Sequence, residues 1–331
     1  MMPMTTLRKA VASILCAALA CIAHAQVPAA DFPTKPLRII VPYPPGGATD
    51  ALSRMIAQEM AKHAGQPVIV DNRAGASEQI AVAALRSAAP DGHTFMLSTM
   101  GGLTVNPSLY GEKLTYDPQK DLKPIALAAV LPNVLLVTPS LPVQTVDELI
   151  AYARANPGKL SYGSSGAGQS THLAMEVFKR SAGIDILHVP YKGGAPALQD
   201  LMSGQVQVMI AVAAESMPYV RAGKLRALAV ANAEATALYP ELPPMSAAKD
   251  LKGFHVPIWF AYMAPSSSPP AVIARLNGLI NQVLGNQAFR KKMSEMGMEP
   301  AGGQSATLES LVVSETEKWK AVIDSAGIRL D

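Results

Sequence analysis

One stretch constrains the fold more than any other: Leu37-Arg38-Ile39-Ile40-Val41, then Pro42-Tyr43-Pro44-Pro45-Gly46-Gly47, then Ala48-Thr49-Asp50. A β-branched apolar run breaks into a Pro/Gly turn and opens onto a helical period, so the segment reads as strand, tight loop and helix start. A helix start presents unpaired backbone N–H groups and the positive end of the peptide dipoles, and glycines let a ligand approach them. The design recurs at Lys159-Leu160-Ser161-Tyr162-Gly163-Ser164-Ser165-Gly166-Ala167-Gly168-Gln169-Ser170-Thr171. There a short strand runs through a hydroxyl-rich loop into a helical stretch over 172–181. Two anion-receptive loops in separate halves of the chain predict a clamp.

Residues 1–25 stand apart. Arg8 and Lys9 precede an uncharged apolar run over 10–23 that closes in Ala23-His24-Ala25, the pattern of a secretory leader cleaved near Ala25. The run is too short to span a bilayer, and no later segment is long and apolar enough to do so. We expect a soluble, exported protein, with a lipoprotein at Cys21 as the alternative. The only two cysteines, Cys16 and Cys21, both fall in the leader. The mature chain then has no disulfide, no thiol nucleophile and no thiolate metal site.

The chain has 28 basic and 25 acidic residues among 331, and setting aside Arg8 and Lys9 brings it close to neutrality. The charges are scattered, which argues against a nucleic-acid partner. A hydrophobic content of 49% is enough to build a large core without disulfides.

Along the mature chain short β-rich runs alternate with helical periods: 37–41 then 48–64, 68–70 then 79–88, 94–98 then an irregular segment to Tyr110. A second set follows at 125–130, 135–137, 146–155, 160–163, 172–181, 186–189, 196–203, 206–210 and 225–230. This order predicts an α/β fold in two lobes with largely parallel sheets. The stretch Tyr239-Pro240-Glu241-Leu242-Pro243-Pro244 cannot sustain a helix and reads as a connector to a strand over 256–263. Helices over 270–284 and 307–324 end the chain and can return to the first lobe, making it discontinuous.

In order along the chain stand Val41-Pro42-Tyr43-Pro44-Pro45-Gly46-Gly47-Ala48-Thr49-Asp50, Gly65-Gln66-Pro67-Val68, Asp71-Asn72-Arg73, Ala89-Pro90-Asp91-Gly92, Asn106-Pro107, Tyr116-Asp117-Pro118, Ser164-Ser165-Gly166, His188-Val189-Pro190-Tyr191-Lys192-Gly193, Ala222-Gly223-Lys224-Leu225-Arg226-Ala227-Leu228-Ala229-Val230 and Trp259-Phe260. Together they resemble the Bug/TctC family, the extracytoplasmic solute receptors of tripartite tricarboxylate transporters. The resemblance implies a two-lobed, type II-like periplasmic binding protein with a hinge, each lobe a mostly parallel sheet flanked by helices. Lobe 1 is expected over 26–130 plus 254–331 and lobe 2 over 131–253. The implied partners are a small organic carboxylate and membrane permease subunits, with the receptor acting as a monomer and without a cofactor.

By the same resemblance a ligand carboxylate lies between the two strand-to-helix loops, held by backbone N–H groups, hydroxyls and waters. The candidate contacts are Tyr43, Gly46, Gly47, Ala48 and Thr49 on one side and Ser164, Ser165, Gly168, Ser170 and Thr171 on the other. Met100, Met209, Ala211, Trp259 and Met263 are candidate walls. Two departures from the family pattern bear on the ligand. Ala211-Val212 stands where amino-acid-binding members carry Asp-Asn, which favours a dicarboxylate or an aromatic acid over an amino acid. Ala74-Gly75-Ala76-Ser77-Glu78 replaces Pro-Gly-Ala-Gly-Gly, and Glu78 is expected to face solvent as a first-turn helix acid, with entry into the cleft as the alternative.

Enzyme readings rest on the same loops. Gly163-Ser164-Ser165-Gly166-Ala167 approaches a nucleophile elbow but ends in alanine, leaving an exported hydrolase using Ser164 or Ser165 with His172 as an alternative to the receptor. A ligand sensor docking on a membrane kinase is a third reading. His63, His93, His188 and His255 have no metal-binding spacing.

Overall fold

A computed structural model describes residues 32–328; the leader, with Cys16, Cys21 and the expected cleavage point at Ala25, lies outside the described residues. The first unit runs β1 (Leu37–Val41), α1 (Ala48–Ala64), β2 (Val68–Asn72), α2 (Gln79–Arg86) and β3 (Thr94–Thr99). A π-helical turn (Gly101–Val105) and the short helices α3 (Asn106–Tyr110) and α4 (Pro118–Asp121) then lead into β4 (Leu122–Leu131). The irregular segment expected before Tyr110 is thus helical, a wide π-turn running into α3.

The second unit follows as β5 (Asn133–Val137), α5 (Val146–Ala155), β6 (Ser161–Ser164), α6 (Ser170–Ala182), β7 (Leu187–Pro190), α7 (Gly194–Ser203), β8 (Val208–Val212), α8 (Ala213–Arg221) and β9 (Arg226–Val230). The chain returns through β10 (Ile258–Pro265), α9 (Pro270–Gly285), α10 (Gln287–Glu295), β11 (Glu299–Gly302) and α11 (Ser305–Ala326). Among the described residues no helix is long and apolar enough to cross a membrane.

The strands form two sheets, ordered β11-β4-β10-β3-β1-β2 and β7-β6-β8-β5-β9. Both are mixed, which corrects the expectation of mostly parallel sheets. In the first, β1 pairs in parallel with β2 and β3, whereas β10 is antiparallel to β3 and β4, and β11 to β4. In the second, β6 is parallel to β7 and β8, while β5 is antiparallel to β8 and β9. The reversed strands β5 and β10 are those by which the chain enters each sheet from the other unit. A strand arriving from the gap must run away from it, against neighbours that run toward it.

The helices form where apolar residues recur at helical spacing. Leu52, Ile56 and Met60 of α1 are fully buried at i, i+4 and i+8, and pack with Leu276, Ile280 and Val283 of α9 in one core layer, a stripe typical of an amphipathic helix. A second core cluster joins Ile40 and Met96 of the first sheet to Leu135, Leu149 and Phe178 of the second unit and to Trp319 of α11. Helix α11 packs on β4 and reaches α6, where the Arg180 guanidinium donates to Ser325 Oγ at 2.6 Å.

The crossing is held by a compact set of hydrogen bonds around Asn133. Ala231 N donates to Asn133 O at 2.8 Å, Val256 N to Ala231 O at 3.0 Å, and Asn133 Nδ2 to Val256 O at 2.8 Å. Asn133 is only 1% exposed, so the Val256 carbonyl has no water to replace this donor.

Beneath the loop that leads into α6, three rings stack. Tyr162 and His188 lie 4.8 Å apart and His188 and His172 3.9 Å apart, nearly parallel in both cases. His188 Nε2 and Ser164 Oγ are 2.7 Å apart, and Gly168 N donates to His172 Nδ1 at 2.9 Å. The two imidazoles therefore pin the loop as neutral groups. Burial, with His172 alongside, holds His188 down at about 4.

Two outcomes follow from these supports. Asn133→Ala strands the buried Val256 carbonyl and lowers stability by about 1–3 kcal/mol, read as a drop in the urea midpoint with an unchanged slope. Because His188 titrates lower in the folded chain than in the unfolded one, the unfolded state binds the extra proton. Its contribution is complete above about 6.5 and falls away as pH drops toward about 4. A His188→Gln variant should show a flatter loss of melting temperature across that window; an identical profile would place the acid sensitivity elsewhere.

Candidate functional site

Strands β1, β2, β3, β6 and β8 all run toward the gap between the sheets, so the loops at their carboxyl ends gather on one cavity, as in open α/β sheets generally. It measures about 890 Å³, within the range of small-molecule sites. The first unit supplies Pro42, Tyr43, Gly47, Ala48 and Thr49 after β1, Gly75, Ser77 and Glu78 after β2, and Met100, Gly102, Asn106 and Tyr110 after β3. The second supplies Gly168, Gln169 and Ser170 around the start of α6, and Val212 and Glu215 where β8 turns into α8.

Two long helices begin at this cavity. Gly47 is the N-cap of α1 and Gln169 that of α6; both are extended, and neither makes a side-chain capping hydrogen bond. Their first-turn N–H groups therefore receive no capping side chain from the N-cap residue. The one carboxylate in the first turn of α1 is turned inward: Asp50 accepts from Gly46 N, Arg54 Nε and Asn72 Nδ2, each at 3.0 Å. The Arg54 guanidinium holds the Asp50 carboxyl down at about 2, so this charge is matched within its own unit.

Of the expected contacts, Tyr43, Gly47, Ala48, Thr49, Met100, Gly168 and Ser170 line the cavity. Gly46 lies behind it and uses its N–H on Asp50. Ser164 is fully buried against His188, and Thr171 Oγ1 accepts from Ser165 N at 2.8 Å and lies 2.8 Å from Ser165 Oγ. Those hydroxyls shape the loop from within. The hydrolase alternative loses its geometry here, because Ser164 is buried against His188, Ser165 Oγ is paired with Thr171 Oγ1, and His172 Nδ1 is occupied by Gly168 N.

Strand parity decides the walls. Ala211 and Trp259 are 1% and 2% exposed and point into the cores, as do Met209 and Met263. Their neighbours Val212, Ile258 and Phe260 face the cavity instead, because successive side chains on a strand point to opposite faces.

Glu78 does not face solvent, which corrects the first-turn reading. After Gly75, the residues Ala76, Ser77 and Glu78 have φ of 45°, 50° and 74°, a left-handed run that non-glycine residues rarely adopt. It swings the Glu78 side chain inward until the residue is 2% exposed. Oε2 accepts from Ser98 Oγ at 2.5 Å; Oε1 accepts from Thr99 Oγ1 at 2.5 Å, Thr99 N at 3.2 Å and Tyr43 OH at 3.2 Å. Burial pushes the Glu78 carboxyl up, against the pull of these donors. Gly102 makes room for it, since a Cβ there would sit 2.2 Å from Oε2.

Sequence reasoning missed Glu215, Gln169 and Tyr110. Glu215 follows β8 at a third strand-to-helix turn, and that repeat of the pattern was the available signal. Burial also raises the Glu215 carboxyl. Among the described residues no group of histidine, cysteine, aspartate or glutamate could hold a metal ion.

Comparison with known proteins identifies the family. Residues 52–328 match the model of the tripartite tricarboxylate transporter family receptor. Protein BugT of Bordetella pertussis is 34% identical over 311 residues, covering 92% of this chain and 94% of BugT. Among solved structures, Rhodopseudomonas palustris Rpa4515 with adipate is 38% identical, with a TM-score of 0.75 over 90% of this chain and 100% of that one. MatC from the same organism, with bound malate, is 31% identical, with a TM-score of 0.70 over 88% and 100%. The two mixed sheets, the shared cavity and these matches lead to one conclusion: the chain belongs to the Bug/TctC family of periplasmic solute-binding receptors, which are not enzymes.

Proposed function

We propose that this protein captures a small organic carboxylate in the periplasm and hands it unaltered, as a monomer, to the permease subunits of a tripartite tricarboxylate transporter. The observation that carries this reading is the pair of uncapped helix starts, α1 and α6, on one cavity. The adipate and malate in the two relatives support a carboxylate as the ligand.

A helix start contributes about 0.3–1 kcal/mol to a bound anion when exposed and up to about 2 when shielded. Micromolar capture needs about −8 kcal/mol, so the greater part must come from excluding water and burying the rest of the ligand. Val105, Leu109, Leu131, Ile258 and Phe260 offer an apolar wall for that body. Hinge closure of residues 26–130 and 254–331 onto residues 131–253 supplies the exclusion. An aromatic acid, or a dicarboxylate with an apolar chain, suits this wall better than an α-amino acid, whose ammonium would lie beside the positive helix ends.

The test is a thermal-shift screen over dicarboxylates, aromatic acids and their amides, with recovery of the ligand after release. At least one acid should raise the melting temperature and return unchanged; a converted ligand would overturn the reading. Gly47 has φ −81° and open space around a built Cβ, so Gly47→Val leaves the fold intact while crowding the start of α1. That variant should lose the ligand-induced shift, and full retention would remove the β1–α1 loop from the site.

A further inference from the structure

The turn that brings α6 to the cavity is held from behind by a ring that must stay uncharged. Gly168 lines the cavity, and its N–H donates to His172 Nδ1 at 2.9 Å in a buried contact. A backbone N–H can only donate, so Nδ1 carries a lone pair and the ring proton of neutral His172 sits on Nε2. Protonation of Nδ1 would set a donor against a donor. The imidazolium can keep that proton only by turning away from Gly168 or by driving the turn off it. Either movement displaces the cavity wall at Ala167, Gly168 and Gln169.

The groups around His172 oppose its proton without forbidding it. His188 on β7 stacks on it at 3.9 Å and 7°, and Tyr162 on β6 lies on the far side of His188. Further along α6, Glu176 accepts from Lys179 Nζ at 2.8 Å and from Tyr162 OH at 2.6 Å. Burial lowers the titration of His172 from its ordinary 6.5, with Glu176 pulling it up and Lys179 pushing it down. A charge on His172 in turn lowers His188, so the stacked rings take up one proton before the other. Of the two, only His172 holds a residue of the cavity wall, since the partner of His188 is the buried Ser164.

Resting on the reading of the cavity as a carboxylate site, we propose that His172 is the positioning residue of the α6 turn and that ligand and proton compete through it. The neutral ring holds Gly168 and the turn in the binding shape; the protonated ring lets them go. Affinity is then level at neutral pH. Below the midpoint of His172 it falls by up to about tenfold per pH unit, as the competent fraction of the receptor shrinks. Acid unloads the receptor through the loop, with the rest of the cavity unchanged.

The test is calorimetric titration from neutral pH into acid, with the acid that gives the largest thermal shift as the probe and adipate tried first. A carboxylate ligand itself takes up protons in acid, so the wild type is compared at each pH with His172→Ala and His172→Asn, where that contribution cancels. Asparagine Oδ1 branches from Cγ as Nδ1 does, and it accepts without titrating. His172→Ala should bind about tenfold more weakly than the wild type at neutral pH. His172→Asn should recover most of that loss and escape the extra acid weakening, on the order of tenfold, that the wild type shows. In the ligand-free wild type, the Gly168 amide resonance should shift with the same midpoint as the His172 ring, a measurement that needs neither a variant nor a ligand. An acid loss that persists in His172→Asn, a Gly168 amide that does not follow the His172 titration, or full-strength neutral binding by His172→Ala would each overturn the proposal and leave the receptor reading in place. Failure of adipate and of every acid in the screen to bind would overturn the receptor reading, and this proposal with it.

Discussion

The constraint on which this structure depends is topological: the chain crosses between two sheets, and every crossing strand must enter from the gap. Strand β5 follows β4 after Pro132 and runs away from the gap, and β10 does the same on return. The other strands of both sheets, β11 excepted, therefore point their carboxyl ends at it. That alignment brings α1 and α6 to begin on opposite sides of one cavity. Asn133 and Val256, hydrogen-bonded at the crossing, lock the alignment without contributing an atom to the site.

An anion site built from helix starts has a particular economy of parts. Its positive potential belongs to the backbone and does not depend on which side chains line the walls. In the first unit Asp50, Arg54 and Asn72 fix the turn before α1. In the second, the stacked rings of Tyr162, His188 and His172 support the turn before α6. Both supports lie behind the loops, so the cavity face stays free of fixed cations.

The strand-loop-helix pattern was legible in the sequence because its signals are local: β-branched runs, Pro/Gly turns and helical spacing. The cavity residues of the first loop follow directly from it. The second loop was legible as a place but not in detail, since nothing in Ser164-Ser165 or Thr171 says that these hydroxyls bond to His188 and to each other. Trp259 and Ala211 show the limit of reading strands one residue at a time, where a shift of one position exchanges core for cavity. Helix α10 and strand β11 were missed because Gln287–Glu295 and Glu299–Gly302 are short and polar. Strand β11 is fixed by pairing with β4, a contact remote in sequence, and α10 packs on β11 and α9.

Glu78 is the residue that local rules misplace, and the reason is energetic. A glutamate at a helix start ordinarily faces water, because a buried carboxyl is penalised and a left-handed backbone at a non-glycine residue costs on the order of 1–3 kcal/mol. Here three successive residues adopt that backbone, so the tract holds only because interactions elsewhere over-determine it. Three hydroxyls and one backbone N–H converge on the carboxyl, and Gly102 leaves the space it fills. The partners Ser98, Thr99 and Tyr43 come from two different strand ends, which a reading along the chain cannot bring together. Once the carboxyl is inside, it also fixes the Tyr43 hydroxyl on a loop that lines the cavity. The anion locus thus comes from the fold, whereas the charge of the surrounding wall comes from individual side chains at the other strand ends. Ligand preference can shift there while the helix starts stay where the crossing strands put them.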